Sequence, residues 1–209
     1  MFEETLVRGA KNSLALLGKS GILRNAYLAG GTAAALQMGH RISVDFDFFT
    51  QERFVPQEVA EKLSHLGSFV VDQADKGTVL GEFEKIKFSL FVYEYPLIGR
   101  SHSYLEISIA SLQDIAAMKI DALSSRGARR DFVDLYFLCH QGLSFPEILT
   151  CYQKKYGTLA SNLIHIQKSL VYFKDAETDE MPRMLQEVKW EQIQHFFGQE
   201  VKRLMSEKL

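Results

Sequence analysis

Asp45 and Asp47 stand two residues apart in Ser43-Val-Asp-Phe-Asp-Phe-Phe49, a run that alternates polar and apolar side chains. Such alternation is the pattern of a half-buried β-strand. Residues two apart on a strand point to one face, so both carboxylates project together while Phe46 and Phe48 point into the core. Two convergent carboxylates are hard oxygen ligands of the kind Mg²⁺ takes alongside water and substrate phosphate. A bare D-x-D also describes a solvated acidic strand face, so the surrounding residues must decide.

Upstream, the apolar run Tyr27-Leu28-Ala29 is cut off by Gly30-Gly31. This reads as a strand entering a turn, after which Thr32 caps a short helix through Met38 that Gly39 stops. Glycines at such a turn let the backbone approach a ligand, and the helix start offers free N–H groups and a positive dipole end to a phosphate. Gly30, Gly31 and Thr32 are therefore candidates to cradle a phosphate beside the two carboxylates. Lys119 and Arg126 form a second constellation. They are seven apart and share a face if one helix carries both, and two cations so placed could hold nucleotide phosphates. Arg129 and Arg130 extend the positive patch. Asp131 lies near a helix start, where the dipole favours an anion. Arg130 and Asp134 are i,i+4 partners and could equally be a surface pair. His40 could contact the nucleotide or hydrogen-bond its own turn. His102, His140, His165 and His195 stand alone.

The elements that must position these groups follow from periodicity. Residues 2–17 read as a helix, ended by Gly18 and Gly21. Another begins at Pro56 and carries Val59, Leu63 and Leu66. Strand-like runs follow at 68–73, 78–83, 86–93 and 104–109. From Ser111 the pattern turns helical: Ser111 with Asp114 has capping-box spacing ahead of a helix through Leu123. Helices at 130–140, 145–156, 161–173 and 190–207 complete the chain, with a polar loop over 174–183. An α+β half to about residue 110 therefore precedes a helical half.

The run Leu28-Ala-Gly-Gly-Thr-Ala-Ala-Ala-Leu36, then Gly39-His-Arg-Ile-Ser-Val-Asp-Phe-Asp-Phe-Phe49, closely resembles the first motif of the AbiEii/AbiGii toxin-type nucleotidyltransferases, relatives of the polymerase β-like superfamily. Leu112-Gln-Asp-Ile-Ala-Ala-Met-Lys119, Arg126 and Arg130-Asp131-Phe-Val-Asp134-Leu-Tyr-Phe-Leu138 resemble that family's later motifs. The resemblance spans roughly residues 20–175. It implies a nucleotidyltransferase-fold mixed sheet with flanking helices (1–110), followed by a helical region (111–209) that completes the active site. It implies a Mg²⁺-dependent transfer of a nucleoside monophosphate from an NTP to an RNA or protein acceptor, in a toxin with a cognate antitoxin. Asp45 and Asp47 would hold metal, Lys119, Arg126 and Asp134 would contact the nucleotide, and Asp131 would orient the cations. Many polymerase β-like enzymes carry a third carboxylate on a neighbouring strand. The expected strand, Lys85 to Tyr93, has no acid at its centre, which leaves Glu84, Glu94 or Glu106 as substitutes and keeps open a non-catalytic binding module as the alternative.

Composition restricts the remaining classes. With 24 basic and 26 acidic residues the net charge is −2, which argues against a general polyanion-binding surface. Cys139 and Cys151 fit no zinc spacing or disulfide framework and are expected as reduced thiols. Acidic Glu3 and Glu4 precede any apolar run, and no run approaches the ~20 residues of a membrane span. A cytoplasmic protein without membrane association is the expectation.

Overall fold

The computed structural model describes residues 1–206; residue 207, the expected end of the last helix, lies outside them. The centre is a seven-stranded mixed sheet in the order β3-β4-β5-β2-β1-β7-β6. Its strands are β1 (Tyr27–Leu28), β2 (Asp45–Thr50), β3 (Phe69–Asp75), β4 (Thr78–Phe83), β5 (Ile86–Val92), β6 (His102–Tyr104) and β7 (Ile107–Ile109). β2 pairs antiparallel with β1 and parallel with β5, which sets Asp45 opposite Lys87 and Asp47 opposite Ser89. Phe46 and Phe48 are buried on one face of β2, while Asp45 and Asp47 are half-buried on the other. The pleat thus delivers the expected separation of core and chemistry.

Helices α1 (Ala10–Ser20), α2 (Gly30–Met38) and α3 (Pro56–Leu66) flank the sheet. The helical region follows as α4 (Leu112–Arg126), α5 (Arg129–His140), α6 (Phe145–Tyr156), α7 (Leu159–Ser169), α8 (Lys174–Thr178) and α9 (Trp190–Ser206). The Ser111 hydroxyl accepts from Asp114 N at the head of α4, as its spacing predicts. One hydrophobic core runs through both parts, from Leu14 and Phe48 to Leu138 and Phe197.

Three elements depart from the sequence reading. The helix expected over 2–17 is divided: a 3-10 turn spans Glu3–Thr5, and Gly9, at φ 90°, starts α1 afresh. The strand expected over 104–109 is a hairpin, because Leu105 and Glu106 turn the chain with φ of 51° and 63°. The polar loop at 174–183 contains the short helix α8.

Candidate active site

Gly30 and Gly31 form the first turn of α2, with Ala29 as its N-cap. Both glycines are required by close neighbours. Gly30 has φ +62°, and a Cβ there would lie 2.5 Å from Asp47 Oδ2. A Cβ on Gly31 would lie 2.4 Å from an Arg41 guanidinium nitrogen. The helix start is therefore packed directly against one strand carboxylate, and its first N–H groups have no partner inside the helix. Ser89 donates to Asp47 Oδ1 at 2.7 Å, and Arg130 Nη1 reaches Asp45 Oδ2 at 3.3 Å. Asp45 Oδ1 is buried without a hydrogen-bond partner. A buried carboxylate oxygen normally has one, so this atom is suited to a cation.

Behind the carboxylates lies a buried ionic network. Asp134, fully buried, accepts two bonds from Arg41, at 2.6 Å from Nε and 2.9 Å from Nη2. His40 Nε2 lies 2.8 Å from the same carboxylate, and Lys119 Nζ joins Asp134 to Asp131 at 2.5 and 2.8 Å. Arg126 forks onto Asp131 at 2.8 and 3.1 Å. Burial works against the Asp134 charge, but Arg41 and Lys119 overcome it and hold the carboxyl well below its usual range. Asp131 is lowered in the same way, against its burial, by Lys119 and Arg126. Burial also opposes the Lys119 charge, and the two aspartates more than restore it, so its pKa is raised. Burial lowers the pKa of His40 despite its Asp134 contact. A neutral ring donating from Nε2 leaves Nδ1 as the partnerless buried atom, the less costly arrangement, because that nitrogen then carries no proton.

An open cleft of ≈ 740 Å³ joins these parts. Gly30, Gly31, Asp45 and Asp47 line one side, and Lys119, Arg126 and Arg130 line another. The third wall is the segment 179–183, which follows α8. This strap is pinned at both ends: Asp179 Oδ2 accepts from Arg129 N at 2.9 Å, and Ile42 N donates to Arg183 O at 2.8 Å. Leu185 N then donates to His40 O at 2.8 Å. Met181 and Pro182, together with Val7, Ile42 and Val44, bring apolar surface to the cleft, and Asp179 and Glu180 bring acids.

Several sequence expectations are redistributed. Thr32 neither caps α2 nor lines the cleft. It is 1% exposed, and its hydroxyl bonds Ser43 Oγ and the Asp45 carbonyl, so it secures the entry to β2. Asp134 pairs with Arg41 rather than Arg130; it is fully buried, its oxygens are occupied by Arg41, His40 and Lys119, and it does not line the cleft. Asp131 is likewise buried, bonded to Lys119 and Arg126, and absent from the cleft lining. Glu84 accepts from Ser68 N, Glu94 sits beside Arg53, and Glu106 lies in the β6–β7 turn; none lines the cleft. Ser89 takes the β5 position opposite Asp47, and no cluster of three or more metal-ligating acids, histidines or cysteines occurs among the described residues. Arg41 and the strap, by contrast, carried no local signal: their roles depend on partners 93 residues away in one case and on a chain crossing in the other. Cys139 and Cys151 are free, and burial pushes the Cys139 thiol up to about 12. No helix among the described residues is long and apolar enough to cross a membrane.

This sheet and cleft belong to a nucleotidyltransferase. The chain belongs to the nucleotidyl transferase AbiEii toxin family of type IV toxin–antitoxin systems, which matches residues 14–204. An uncharacterized protein of Aquifex aeolicus strain VF5 is 38% identical over 187 residues, 87% of this chain and 89% of the relative. The fold is similar to that of MenT4, a nucleotidyltransferase toxin from Mycobacterium tuberculosis, with a TM-score of 0.60 and 14% identity over 95% of this chain and 85% of the other. It is also similar to JHP933 from Helicobacter pylori, with a TM-score of 0.55 and 16% identity over 95% and 93% of the two chains.

Proposed function

We propose that the protein transfers a nucleoside monophosphate from an NTP to an acceptor hydroxyl, with Mg²⁺ as cofactor, as the toxin of a pair with a cognate antitoxin. The observation that carries this reading is the pairing of Asp45 and Asp47, on one face of β2, with Lys119 and Arg126 across a single cleft. The donor set fits a hard divalent ion: two carboxylates, one with an unpartnered oxygen, leave room for water and phosphate ligands. When bound there, such an ion would supply charge neutralisation for the triphosphate and the departing pyrophosphate. The first N–H groups of α2 approach the phosphates. Arg126 and Arg130 contact them from the other side, and Lys119 supplies positive charge from the cleft floor. The acceptor oxygen bonds to the α-phosphorus as the bond to the β-phosphate oxygen breaks; the hydroxyl proton leaves to water through the open cleft. Positioning and charge carry most of such chemistry.

The test is incubation with labelled NTPs, Mg²⁺ and either total RNA or lysate protein, with and without Asp45→Asn/Asp47→Asn. Labelling of one acceptor class, abolished in the double variant, is the expected result. The absence of an acid opposite Asp47 favours a second reading, a module that binds nucleotide without transferring it. Nucleotide binding without labelling of either pool would establish that reading instead.

A further inference from the structure

At the entry of β1, away from the glycine turn at its exit, the sheet carries a row of hydroxyls. Tyr27 pairs in register with Ser108 of β7, and Ser108 with Ser103 of β6, the strand at the edge of the sheet. Residues directly opposite one another on paired strands share a face, so these three side chains lie side by side. Ser103 and Ser108 line a cavity of ≈ 350 Å³ between the β6–β7 hairpin and the end of α1, a size within the roughly 300–1,000 Å³ of small-ligand sites. Lys19, Arg24 and His102 also line it, with Glu106 as its single acid. Lys19 and Arg24 are exposed, and neither forms a salt bridge among the described residues. Arg24 and Ser108 continue into an adjoining cavity of ≈ 250 Å³, which Tyr27, Asn25 and Gln51 also line. Tyr27 is 4% exposed, and its hydroxyl has no hydrogen-bond partner among the described residues, although a buried hydroxyl normally has one. Arg24 also borders a third cavity, with apolar walls from Ile22, Leu23 and Phe54. The first two cavities share no lining residue with the nucleotide cleft.

We propose that these joined cavities bind a sugar phosphate, as an effector and not as a substrate. Arg24 and Lys19 take the phosphate, the guanidinium through paired charge-assisted bonds that match phosphate oxygens, and Ser103 adds a neutral donor. The sugar lies along the hydroxyl row and reaches Tyr27, whose buried hydroxyl gains the partner the protein does not supply. A bare anion would satisfy the two cations and leave that hydroxyl orphaned; a hydroxylated body joined to a phosphate meets both needs. The same chemistry is offered by a free sugar phosphate and by the ribose phosphate of a mononucleotide, whose base would occupy the apolar cavity. Tyr27 begins β1, and Gly30 follows three residues on, so occupancy acts on one end of the strand whose other end forms the glycine turn.

Titration calorimetry on the full chain tests this, in EDTA so that no divalent ion occupies the nucleotide cleft. The probes are ribose 5-phosphate, inorganic phosphate and AMP; the proteins are wild type, Arg24→Gln, Lys19→Gln, Tyr27→Phe and Asp45→Asn/Asp47→Asn. Ribose 5-phosphate is expected to bind wild type and the aspartate double variant alike. It should bind Arg24→Gln and Lys19→Gln about tenfold or more weakly, since each loses a charge-assisted bond. Tyr27→Phe should weaken ribose 5-phosphate about three- to tenfold and leave inorganic phosphate unaffected. It should also melt no lower than wild type, because the hydroxyl it loses has no partner within the protein. AMP binding more tightly than ribose 5-phosphate identifies a mononucleotide as the occupant; AMP binding more weakly identifies a free sugar phosphate. A wild type that binds neither ester overturns the proposal. So does an affinity unchanged in both Arg24→Gln and Lys19→Gln, or one lost in the aspartate double variant.

Discussion

Gly30 packs against Asp47 so closely that a methyl group on Gly30 would lie 2.5 Å from Oδ2 of the carboxylate. The same glycine has φ +62°, where a side chain costs ~1–2 kcal/mol. Gly30→Ala should therefore push Asp47 aside as well as strain the turn. Transfer is expected to fall by ~10²-fold through misplacement, while the melting temperature drops by only about 2–8 °C. Parallel assays of labelling rate and thermal unfolding check this; activity and stability lost in proportion would mean that the glycine serves only the fold.

Removing both charges from β2 should separate chemistry from stability in the opposite direction. Asp45→Asn/Asp47→Asn retains the shapes, and the Ser89 hydroxyl can still donate to the new amide oxygen at position 47. The Arg130 contact to Asp45 is half-exposed and contributes little stability. Transfer should fall ~10³-fold or more, with an unchanged or slightly raised melting temperature. A double variant that labels its acceptor at the wild-type rate would move the chemistry elsewhere.

Lys119→Met should have a large structural effect. The substitution leaves Asp131 and Asp134 buried with one cation fewer, a change that typically costs ~3–5 kcal/mol. A fall of roughly 6–20 °C in melting temperature is expected. Arg126→Met, at a half-exposed position, should melt nearer to wild type and show its effect as weaker nucleotide binding. Calorimetry on the pair decides it; a Lys119→Met protein as stable as wild type would mean that the network does not need this cation.

Stability should fall in two steps on acidification. His40 has a folded pKa below its ordinary 6.5. The unfolded chain therefore takes up its proton first, and stability begins to fall as pH drops below about 6.5. Asp131 and Asp134 are also depressed, from 3.8, so their contribution is intact above that value and is lost below it. Lys119, being raised, loses its contribution only above its ordinary 10.5. Denaturant midpoints measured from pH 4.5 to 8 isolate the histidine step. His40→Gln should flatten it.

Legibility in the sequence divided along physical lines. The Asp45/Asp47 pair was visible because strand period alone fixes which side chains share a face; Lys119 with Arg126 depended on the helix running past its expected end at Leu123, and α4 does continue to Arg126. The split at Gly9 and the hairpin at Leu105-Glu106 were hidden: each depends on single residues with positive φ, two of them not glycine. Thr32 had the right type for a cap, but its hydroxyl found the Asp45 carbonyl instead. Arg41 and the strap could not be read at all, since their partners are brought near only by the finished fold.

The buried network has a consequence for how anything charged must lie in the cleft. Arg41, Lys119 and Arg126 are three cations against the two carboxylates of Asp131 and Asp134, with His40 neutral, so that side holds one positive charge in surplus. Across the gap, Asp45 and Asp47 hold two negative charges, with Arg130 of the opposite wall reaching Asp45, while the strap adds Asp179, Glu180 and Arg183 along the third wall. The cleft is thus polarised end to end, like a socket with marked terminals. A guest that is itself a cation joined to a polyanion has one orientation of low energy, its cation toward β2 and its polyanion toward α4. The reversed guest meets like charge at β2 and at α4, so charge alone favours one orientation.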